Sequence, residues 1–286
     1  MRSSRGAASP DPLLLRAVSE PRTALVTGAS SGIGVAIAVE LGRLGWKVGL
    51  GARRVDRLED TAAAVRAVGG TAFAHPLDVT DAASVDACFA AVEADLGPID
   101  ALVNNAGVAT PGWLHDIAPD AIKAEVETNL LGPILTSRLL IADLRERNAR
   151  GDIVFITSDA TRHARPRMAT YTATKAGLEA LAHSVALECE GTGIRSTVVR
   201  VGPTMSEFGF AWPMDELEDL MVYWPKFGLQ RHGGFLEPEA IGRAVAMVLA
   251  APPGVHFDTV EVQPEAPMDD DGSSPIIERP PPGTAE

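Results

Sequence analysis

Short apolar runs alternate along the chain with segments whose apolar residues recur at helical spacing. The apolar runs lie at Thr23 to Thr27, Lys47 to Ala52, Thr71 to Pro76, Ala101 to Asn104, Asp152 to Thr157 and Ile194 to Val201. Helical patterns begin at about Gly34 and cover Val55 to Val68, Asp81 to Leu96, about Asp120 to Arg147, Tyr171 to Glu190 and about Pro238 to Leu249. Because the strand cores lack polar alternation, we predict a doubly wound α/β fold whose parallel sheet carries helices on both faces.

The two ends of the chain and one internal segment depart from this alternation. Residues 1–20 and the acidic, proline-rich residues 264–286 lack any periodicity, so we expect flexible tails around a single domain at 21–263. Residues 205–235 are dense in aromatic, methionine, proline and glycine residues. Such a segment is typical of a lid beside a ligand site.

Charge and cysteine content narrow the classes of partner. The chain has 25 basic and 38 acidic residues, a formal net charge of −13, which disfavours nucleic-acid and anionic-membrane binding. No apolar run approaches the roughly 18 residues of a membrane span. Two cysteines, Cys88 and Cys189, are too few for a disulfide scaffold. We therefore expect a cytoplasmic protein with a small-molecule partner, and no histidine or cysteine grouping suggests a metal.

A glycine-rich turn joins the first predicted strand to the first predicted helix. Glycines let the backbone turn tightly and approach a phosphate, which the N–H groups and dipole of the helix then attract. The spacing differs from the common G-x-G-x-x-G pattern, but strand, glycines and helix are the context that a dinucleotide needs. The residues assigned to this turn are Gly28, Ser30, Ser31, Gly32, Ile33 and Gly34.

Three motifs together resemble one enzyme family. They are TGASSGIG at 27–34, NNAG at 104–107 and YTATK at 171–175. In this combination and order the chain is similar to the short-chain dehydrogenase/reductase family, in its single-domain branch, from about Arg22 to Gln263. The resemblance implies a Rossmann-type fold, a nicotinamide dinucleotide and a Ser-Tyr-Lys catalytic site assisted by an asparagine.

The resemblance assigns the catalytic roles. Tyr171 and Lys175 are four residues apart, hence neighbours on a helix, and we expect the ammonium to lower the pKa of the phenol so that it can exchange a proton with substrate. Ser158 precedes Tyr171 by thirteen residues, the interval of the family, and would hydrogen-bond the substrate oxygen, with Thr157 as a rival. Asn129 would anchor a water that leads protons to the lysine, or would serve as a buried structural amide.

The end of the second strand predicts the cofactor. No acid follows it to bind the ribose of NAD, whereas Arg53 and Arg54 can pair with the 2′-phosphate of NADP, so NADP(H) is favoured over NAD(H). Of the two, Arg53 is assigned to the phosphate and Arg54 is the better candidate to face solvent. The resemblance adds cofactor contacts from Asp78, Val79, Asn104, Ala106, Gly107, Tyr171, Lys175, Gly202, Thr204 and Ser206. Asp78 as a helix cap is a comparable interpretation.

Two further segments near the site differ in what they indicate. The stretch Arg200 to Ser206 keeps Gly202 and Ser206 of the family pattern, but Val201 replaces its proline and Thr204 its aliphatic residue. After Ser158 come four basic residues, which we interpret as a solvated loop, with contact to a polar or anionic substrate as the alternative. They are Arg162, His163, Arg165 and Arg167.

Together these patterns predict an NADP(H)-dependent oxidoreductase that interconverts a secondary alcohol and a ketone. The aromatic segment favours a bulky, apolar substrate, and the helices at about 120–147 and 171–190 favour a homodimer or homotetramer. One alternative is a catalytically silent NADP(H)-binding scaffold or redox sensor. An epimerase or dehydratase of nucleotide sugars is disfavoured, because those relatives carry T-G-x-x-G-x-x-G and a larger C-terminal domain.

Overall fold

The structure is a computed structural model that describes residues 21–208, 212, 214–226 and 234–266. The expected tails lie outside these residues, apart from 264–266. The strands are β1 (Thr23–Thr27), β2 (Lys47–Ala52), β3 (Thr71–Pro76), β4 (Ile99–Asn104), β5 (Gly151–Ser158), β6 (Ile194–Val201) and β7 (Thr259–Val262). The helices are α1 (Gly32–Arg43), α2 (Val55–Ala67), α3 (Ala82–Leu96), α4 (Pro119–Val126), α5 (Gly132–Glu146), α6 (Ala169–Glu188), α7 (Met214–Lys226) and α8 (Pro238–Leu249).

The seven strands form one parallel sheet in the order β3-β2-β1-β4-β5-β6-β7. The chain winds outward from β1 in one direction as far as β3 and then in the other direction from β4 onward. The loops after β1 and β4 therefore diverge at the centre of the sheet, which is where such sheets bind ligands. The predicted doubly wound α/β fold is confirmed.

Side chains of the central strands enter two separate apolar layers. In β1, Ala24 and Val26 pack into the layer formed with α1, α2 and α8, whereas Leu25 packs into the layer formed with α3, α5 and α6. Both layers are buried, so both faces of the sheet are covered by helices, as the unbroken apolar strands predict.

Helix α3 illustrates how its sequence determines both its start and its buried face. The Asp81 carboxylate accepts a hydrogen bond from the Ala83 N–H and so caps the helix. Its apolar residues at spacings of four, three and four are all buried, namely Val85, Phe89, Val92 and Leu96. The helical spacing of the sequence from Asp81 to Leu96 therefore forms one buried face, and of the two cap candidates in the sequence, Thr80 and Asp81, it is Asp81 that caps the helix.

The single helix predicted at about 120–147 is divided. Between α4 and α5, residues Glu127–Leu131 form a turn of π-helix, in which the Gly132 N–H donates to the carbonyl of Glu127. Pro133 has no N–H to offer the carbonyl four residues earlier, which belongs to Asn129. The helix backbone also lies directly against Val79, because a Cβ on Gly132 would approach the Val79 Cγ2 to 2.7 Å.

Two other boundaries differ from the sequence prediction. Helix α1 begins at Gly32, two residues earlier than expected. Strand β7 is not among the predicted strands; it pairs with β6 at the edge of the sheet, has four residues and is partly exposed, so it lacks a buried apolar run. Within the described part of the chain, no helix combines the length and apolar composition needed to cross a membrane.

A buried carboxylate fixes the N-terminal edge of the sheet. Asp152 is 3% exposed and accepts from Arg22 Nη2 at 2.7 Å and from Arg195 Nε at 2.6 Å. Arg22 also stacks on Trp46, with its guanidinium carbon 4.5 Å from the ring centroid. One acid thus joins β5, β6 and the segment that enters β1.

We predict that Asp152→Asn lowers the free energy of unfolding by about 3 kcal/mol, because two guanidinium groups lose their common anion in a desolvated place. Urea denaturation measures this loss. The control is Asp143→Asn, which breaks the partly exposed pair with Arg147 on the next helical turn and should cost less than about 1 kcal/mol. Equal losses in the two variants would contradict the prediction.

Candidate active site

A cavity of about 1050 Å³ opens along the C-terminal edge of the sheet. Its walls come from the segments that follow β1 to β6 and from described residues of the predicted lid. Parallel strands all end at this edge, so side chains distant in sequence meet here.

The glycine-rich turn has the shape that its sequence predicts. Gly28 has a φ of +66°, and a Cβ on Gly34 would lie 2.3 Å from the Gly28 carbonyl oxygen. Asn105 braces the turn, since its side-chain amide donates to the carbonyls of Thr27 at 2.9 Å and Gly28 at 3.2 Å. The turn therefore leaves no room for side chains at these glycines.

The N-terminus of α1 faces the same cavity. Ser31 is the residue before the helix, and its side chain makes no capping bond to the helix N–H groups. The first turn of α1 also contains no acidic residue. These N–H groups are suited to an anion. All six residues assigned to the turn line the cavity: Gly28, Ser30, Ser31, Gly32, Ile33 and Gly34.

A basic cluster lies beside this turn. Arg54 donates to Ser31 Oγ at 2.7 Å and Ser30 Oγ at 3.1 Å, and it pairs with Glu207 at 3.2 Å. Arg57 pairs with the other oxygen of Glu207 at 2.5 Å, and this hydrogen bond is the main cause that lowers the pKa of Glu207. Arg53 also lines the cavity. The Arg54 side chain is 45% exposed, so it faces solvent while its guanidinium also engages both serines of the turn.

The segment after β3 contributes Asp78 and Val79 to the cavity wall. The Asp78 carboxylate accepts from the backbone N–H and hydroxyl of Thr80 at 3.0 and 2.8 Å. The Thr80 backbone bond is the largest cause that lowers the pKa of Asp78. Since Asp81 caps α3, the interpretation of Asp78 as that cap is wrong.

The residues after β4 divide between two environments. Asn104 is buried; its side-chain oxygen accepts from Thr136 and its amide donates to Ser137, so the side chain faces α5. Ala106 and Gly107 line the cavity, as does Asn105.

Ser158, Tyr171 and Lys175 meet at one part of the cavity. Ser158 ends β5, and Tyr171 and Lys175 lie one turn apart near the start of α6. The Lys175 ammonium is buried, donates to the Ile156 carbonyl at 2.9 Å and lies 5.8 Å from the centroid of the Tyr171 ring. Thr157, the rival of Ser158, donates its hydroxyl to Glu179 at 2.9 Å.

Asn129 lies in the π-helical turn and is fully buried. Its side-chain oxygen accepts from the Val108 N–H and its amide donates to the Val108 carbonyl, both at 2.8 Å. A Cβ on Gly107 would lie 3.4 Å from the Asn129 Oδ1 and 3.5 Å from the Lys175 Nζ, so Gly107 lies between the two groups. The side chain thus acts as a structural amide for this loop, close to the lysine.

Described residues of the segment 205–235 cover the catalytic groups. The Phe208 ring centroid is 5.4 Å from that of Tyr171 and 5.6 Å from that of Trp212. Trp212 in turn donates its indole N–H to the Ala109 carbonyl at 3.0 Å. These contacts close an aromatic wall over the tyrosine.

The base of this segment is tied down by backbone hydrogen bonds. Met205 N–H donates to the Leu236 carbonyl and Leu236 N–H donates to the Pro203 carbonyl, both at 2.8 Å. The Thr204 hydroxyl donates to the Gly202 carbonyl at 2.9 Å. The loop thus gains order from these bonds where the proline of the family pattern is missing. The three residues assigned here, Gly202, Thr204 and Ser206, all line the cavity.

A family model described as short chain dehydrogenase matches residues 22–215, which is more than half of the chain. The chain belongs to the short-chain dehydrogenase family. The recognition from the three motifs is confirmed.

Known members of the short-chain dehydrogenase family share most of the domain. Acetoacetyl-CoA reductase of Shinella zoogloeoides is 35% identical over 230 residues, which cover 79% of this chain and 90% of that protein. Glycine betaine reductase ATRR of Emericella nidulans is 32% identical over 244 residues, 85% of this chain, but the chain spans only 19% of that longer protein. An alcohol dehydrogenase from Thermococcus sibiricus complexed with 5-hydroxy-NADP superposes with a TM-score of 0.73 at 31% identity, over 85% of this chain and 96% of that one.

One expectation for this short-chain dehydrogenase is wrong at two positions. The loop after Ser158 is solvated at Arg162, but Arg165 and Arg167 are buried by ion pairs with Asp159 and Asp219 and by Trp224 and Trp113. Trp224, Trp113 and Asp219 lie far from these two arginines in the sequence, so the local sequence does not reveal that they shield Arg165 and Arg167 from water.

Asn105 and Asp159 are among the residues of the cavity wall that the sequence does not assign to the site. Asn105 stands next to Asn104 in the NNAG motif, and strand alternation is the signal that its side chain faces the other way. Asp159 directly follows Ser158, but an acid after a strand gives no specific signal. Among the described residues, no three histidine, cysteine or acidic side chains group as a metal would require.

Burial shifts the pKa values of Tyr171 and Lys175 in this short-chain dehydrogenase. Burial raises the pKa of Tyr171 to about 12, although a hydrogen bond with Ser158 and the charge of Arg165 oppose the rise. Burial also lowers the pKa of Lys175 to about 8. The expectation of a lowered tyrosine pKa is therefore wrong for this state, because the desolvated hydroxyl outweighs nearby positive charge.

We predict that Lys175 makes stability pH-dependent. Its pKa of about 8, against 10.5 for an ordinary lysine, means that the unfolded chain holds this proton more tightly, so the free energy of unfolding should rise with pH between those values. From pH 7.5 to 9.5 Lys175 is expected to contribute a rise of about 2 kcal/mol, which the buried Cys88 thiol, with a pKa raised to about 12, partly offsets; urea denaturation of the wild type and of Lys175→Met isolates the lysine contribution. Lys175→Met should lose this rise, whereas the exposed Lys123→Met should keep it; the same pH dependence in both variants would contradict the prediction.

Proposed function

We propose that the protein is an NADP(H)-dependent oxidoreductase that interconverts a secondary alcohol and a ketone. The observation that carries this proposal is the meeting of Ser158, Tyr171 and Lys175 in the same cavity as the glycine-rich turn. A proton-transfer group and a dinucleotide cradle at one sheet edge are what hydride chemistry on a carbonyl requires.

The residues present fit a nicotinamide dinucleotide. The turn at Gly28 and Gly34 keeps backbone where a Cβ would collide, and the uncapped start of α1 faces the cavity. Asp78, Val79, Ala106 and Gly107 line the adjoining wall, and Gly202, Thr204 and Ser206 line the far side. The bound cofactor would supply or accept the hydride. Asn104 would contribute through its backbone only, because its side chain is engaged with α5.

The chain's own residues handle the proton and the substrate oxygen. The Ser158 hydroxyl would donate to the substrate oxygen and stabilise the charge that develops there. The Tyr171 hydroxyl would give its proton to the carbonyl, or take one from the alcohol. Because burial raises the pKa of Tyr171 to about 12, its hydroxyl is protonated at neutral pH and has the proton that carbonyl reduction requires. Lys175 would hold the cofactor ribose and, beside Asn129, lead protons away.

The basic cluster supports NADP(H) over NAD(H). Arg54 donates to the hydroxyl oxygens of Ser30 and Ser31, and Arg54 and Arg57 together hold the carboxylate of Glu207. A site that holds one anion through two guanidinium groups has the chemistry to bind a phosphate. We propose that the 2′-phosphate binds between Arg53 and Arg54, with Arg54 as the main contact.

The substrate end of the cavity supports a bulky, largely apolar ketone or alcohol. Phe208, Trp212, Leu217, Leu220 and Trp224 form much of its wall. We also propose that residues 205–235 serve as a lid, that the enzyme acts in the cytoplasm, and that it assembles as a homodimer or homotetramer. Exposed Leu131, Ile134 and Leu187 near the two long helices are consistent with such packing.

We predict that Tyr171→Phe lowers ketone reduction with NADPH by about a hundredfold or more, because the ring remains but the transferable proton is lost. Turnover over a panel of ketones and NADPH binding by fluorescence are the two measurements, and binding should persist. The chain's only other tyrosine supplies the control, Tyr223→Phe, which should keep most of the turnover. A loss smaller than about tenfold in Tyr171→Phe would refute the acid/base role.

We predict that Arg54→Ala lowers the affinity for NADP(H) roughly ten- to a hundredfold, the value of a charge-assisted contact, and leaves NAD(H) almost unchanged. Isothermal titration with each cofactor measures both affinities, and NAD(H) is the internal control. If Arg53→Ala loses more affinity for NADP(H) than Arg54→Ala does, the main phosphate contact is Arg53, as the sequence predicts. If neither variant changes the preference, or if the wild type binds both cofactors equally, the NADP(H) proposal fails.

A further inference from the structure

An ion pair lies among the aromatic walls of the cavity, beside the catalytic groups. Asp159 and Arg165 both line the cavity, and their side chains are 12% and 11% exposed. Asp159 directly follows Ser158, whose hydroxyl donates to the Asp159 Oδ1 at 3.4 Å. The charge of Arg165 is close enough to affect the pKa of Tyr171. A charged pair at this depth is therefore part of the catalytic surroundings.

Arg165 uses only one of its three nitrogens within the described part of the protein. Its Nη2 donates to both oxygens of Asp159, at 2.7 and 2.6 Å. Its Nε is buried and has no hydrogen-bond partner among the described residues, and its Nη1 makes no hydrogen bond to them either. The buried Nε N–H without an acceptor costs free energy, and the Nη1, which is not one of the buried unpaired atoms, supplies the donors that a ligand in the cavity can reach.

A second buried arginine of the same sheet edge gives the contrast. Arg200 donates from Nε and Nη2 to Glu179 and from Nη1 to Glu261, so every nitrogen has an acceptor. Arg200 does not line the cavity and has the bonding of a structural arginine. Arg165 differs in both respects.

The orientation of Arg165 is fixed. Its guanidinium carbon lies 4.6 Å from the ring centroid of Trp224, and the Trp224 indole N–H donates to the Pro166 carbonyl at 3.4 Å. Asp159 holds one edge of the guanidinium and Trp224 covers its face. A ligand would therefore meet preorganised donors rather than a flexible side chain.

We propose that Arg165 determines specificity by donating hydrogen bonds to a second oxygen acceptor of the substrate, a carbonyl or carboxylate oxygen on a flat apolar body that also carries the reacting ketone. The apolar body packs against the aromatic walls, and Arg165 forms hydrogen bonds with the second oxygen. An analogue without that oxygen leaves buried donors unpaired, which is the strongest kind of discrimination that a binding site achieves. This inference rests on the proposed function and adds the substrate class to it.

The test compares matched ketones with NADPH. Meta- and para-acetylbenzoate carry a carboxylate, their methyl esters carry a neutral carbonyl, and meta- and para-ethylacetophenone carry no second oxygen. For the wild type, we expect kcat/KM for the better acceptor-bearing ketone to exceed that of its ethyl counterpart roughly ten- to a hundredfold. A comparison of kcat/KM between each acid and its methyl ester shows whether Arg165 prefers an anionic acceptor or a neutral one.

Arg165→Met should bring this ratio close to one. Because that variant leaves Asp159 without its partner, the double variant Asp159→Asn/Arg165→Met tests the same ratio without an unpaired buried charge, and thermal unfolding with NADPH binding verifies its fold. Arg162→Met is the matched control, since Arg162 is exposed and outside the cavity wall, and it should keep the wild-type ratio.

The outcomes separate this inference from the proposed function. If the wild type reduces ketones without preferring those with a second oxygen, or if the preference survives in both Arg165 variants, the role of Arg165 is overturned while the oxidoreductase stands. If the wild type reduces no ketone with NADPH, the proposed function fails and this inference fails with it.

Discussion

A lysine ammonium buried beside the end of a strand constrains the whole site. Lys175 has one hydrogen-bond acceptor from the backbone, the Ile156 carbonyl, and its burial lowers its pKa to about 8. A buried charge must be matched by fixed dipoles, so strand β5, the Gly107 segment and the π-helical turn all have to approach it closely. The place of Tyr171, one helical turn away, results from the same requirement.

The glycines satisfy this requirement for close approach. Gly107 lets the backbone after β4 pass between the lysine and Asn129, and Gly132 brings the helix against Val79. At Gly132 a side chain would push apart two segments that the cavity needs together, whereas an added Cβ at Gly107 would make ordinary contacts of 3.4 and 3.5 Å with Asn129 and Lys175. At this edge of the sheet the same backbone segments fill the space and line the cavity, so a change in packing there would also change the site.

The sequence predicts the features of the molecule that depend on residues close to one another along the chain. Tyr171 and Lys175 are neighbours because four residues make about one helical turn, and the apolar strands predict a sheet that is covered twice. Strand β7 escapes prediction because an exposed edge strand of four residues has little apolar signal. The burial of Arg165 and the raised pKa of Tyr171 also escape it, because both depend on side chains that only the tertiary fold brings near, such as Trp224 and Phe208.

The π-helical turn at Glu127–Leu131 has a consequence for the tolerance of this helix to changes in length. A π-turn contains one residue more than an α-helical turn, and each residue added or removed rotates the remainder of the helix by about 100°. Removal of one residue here would replace the wide turn by an α-helical one, still interrupted at Pro133, and would also turn Asn129 away from Gly107 and Lys175. A helix shorter by one residue would no longer hold Asn129 beside Gly107 and Lys175, so the site requires the extra residue of this turn.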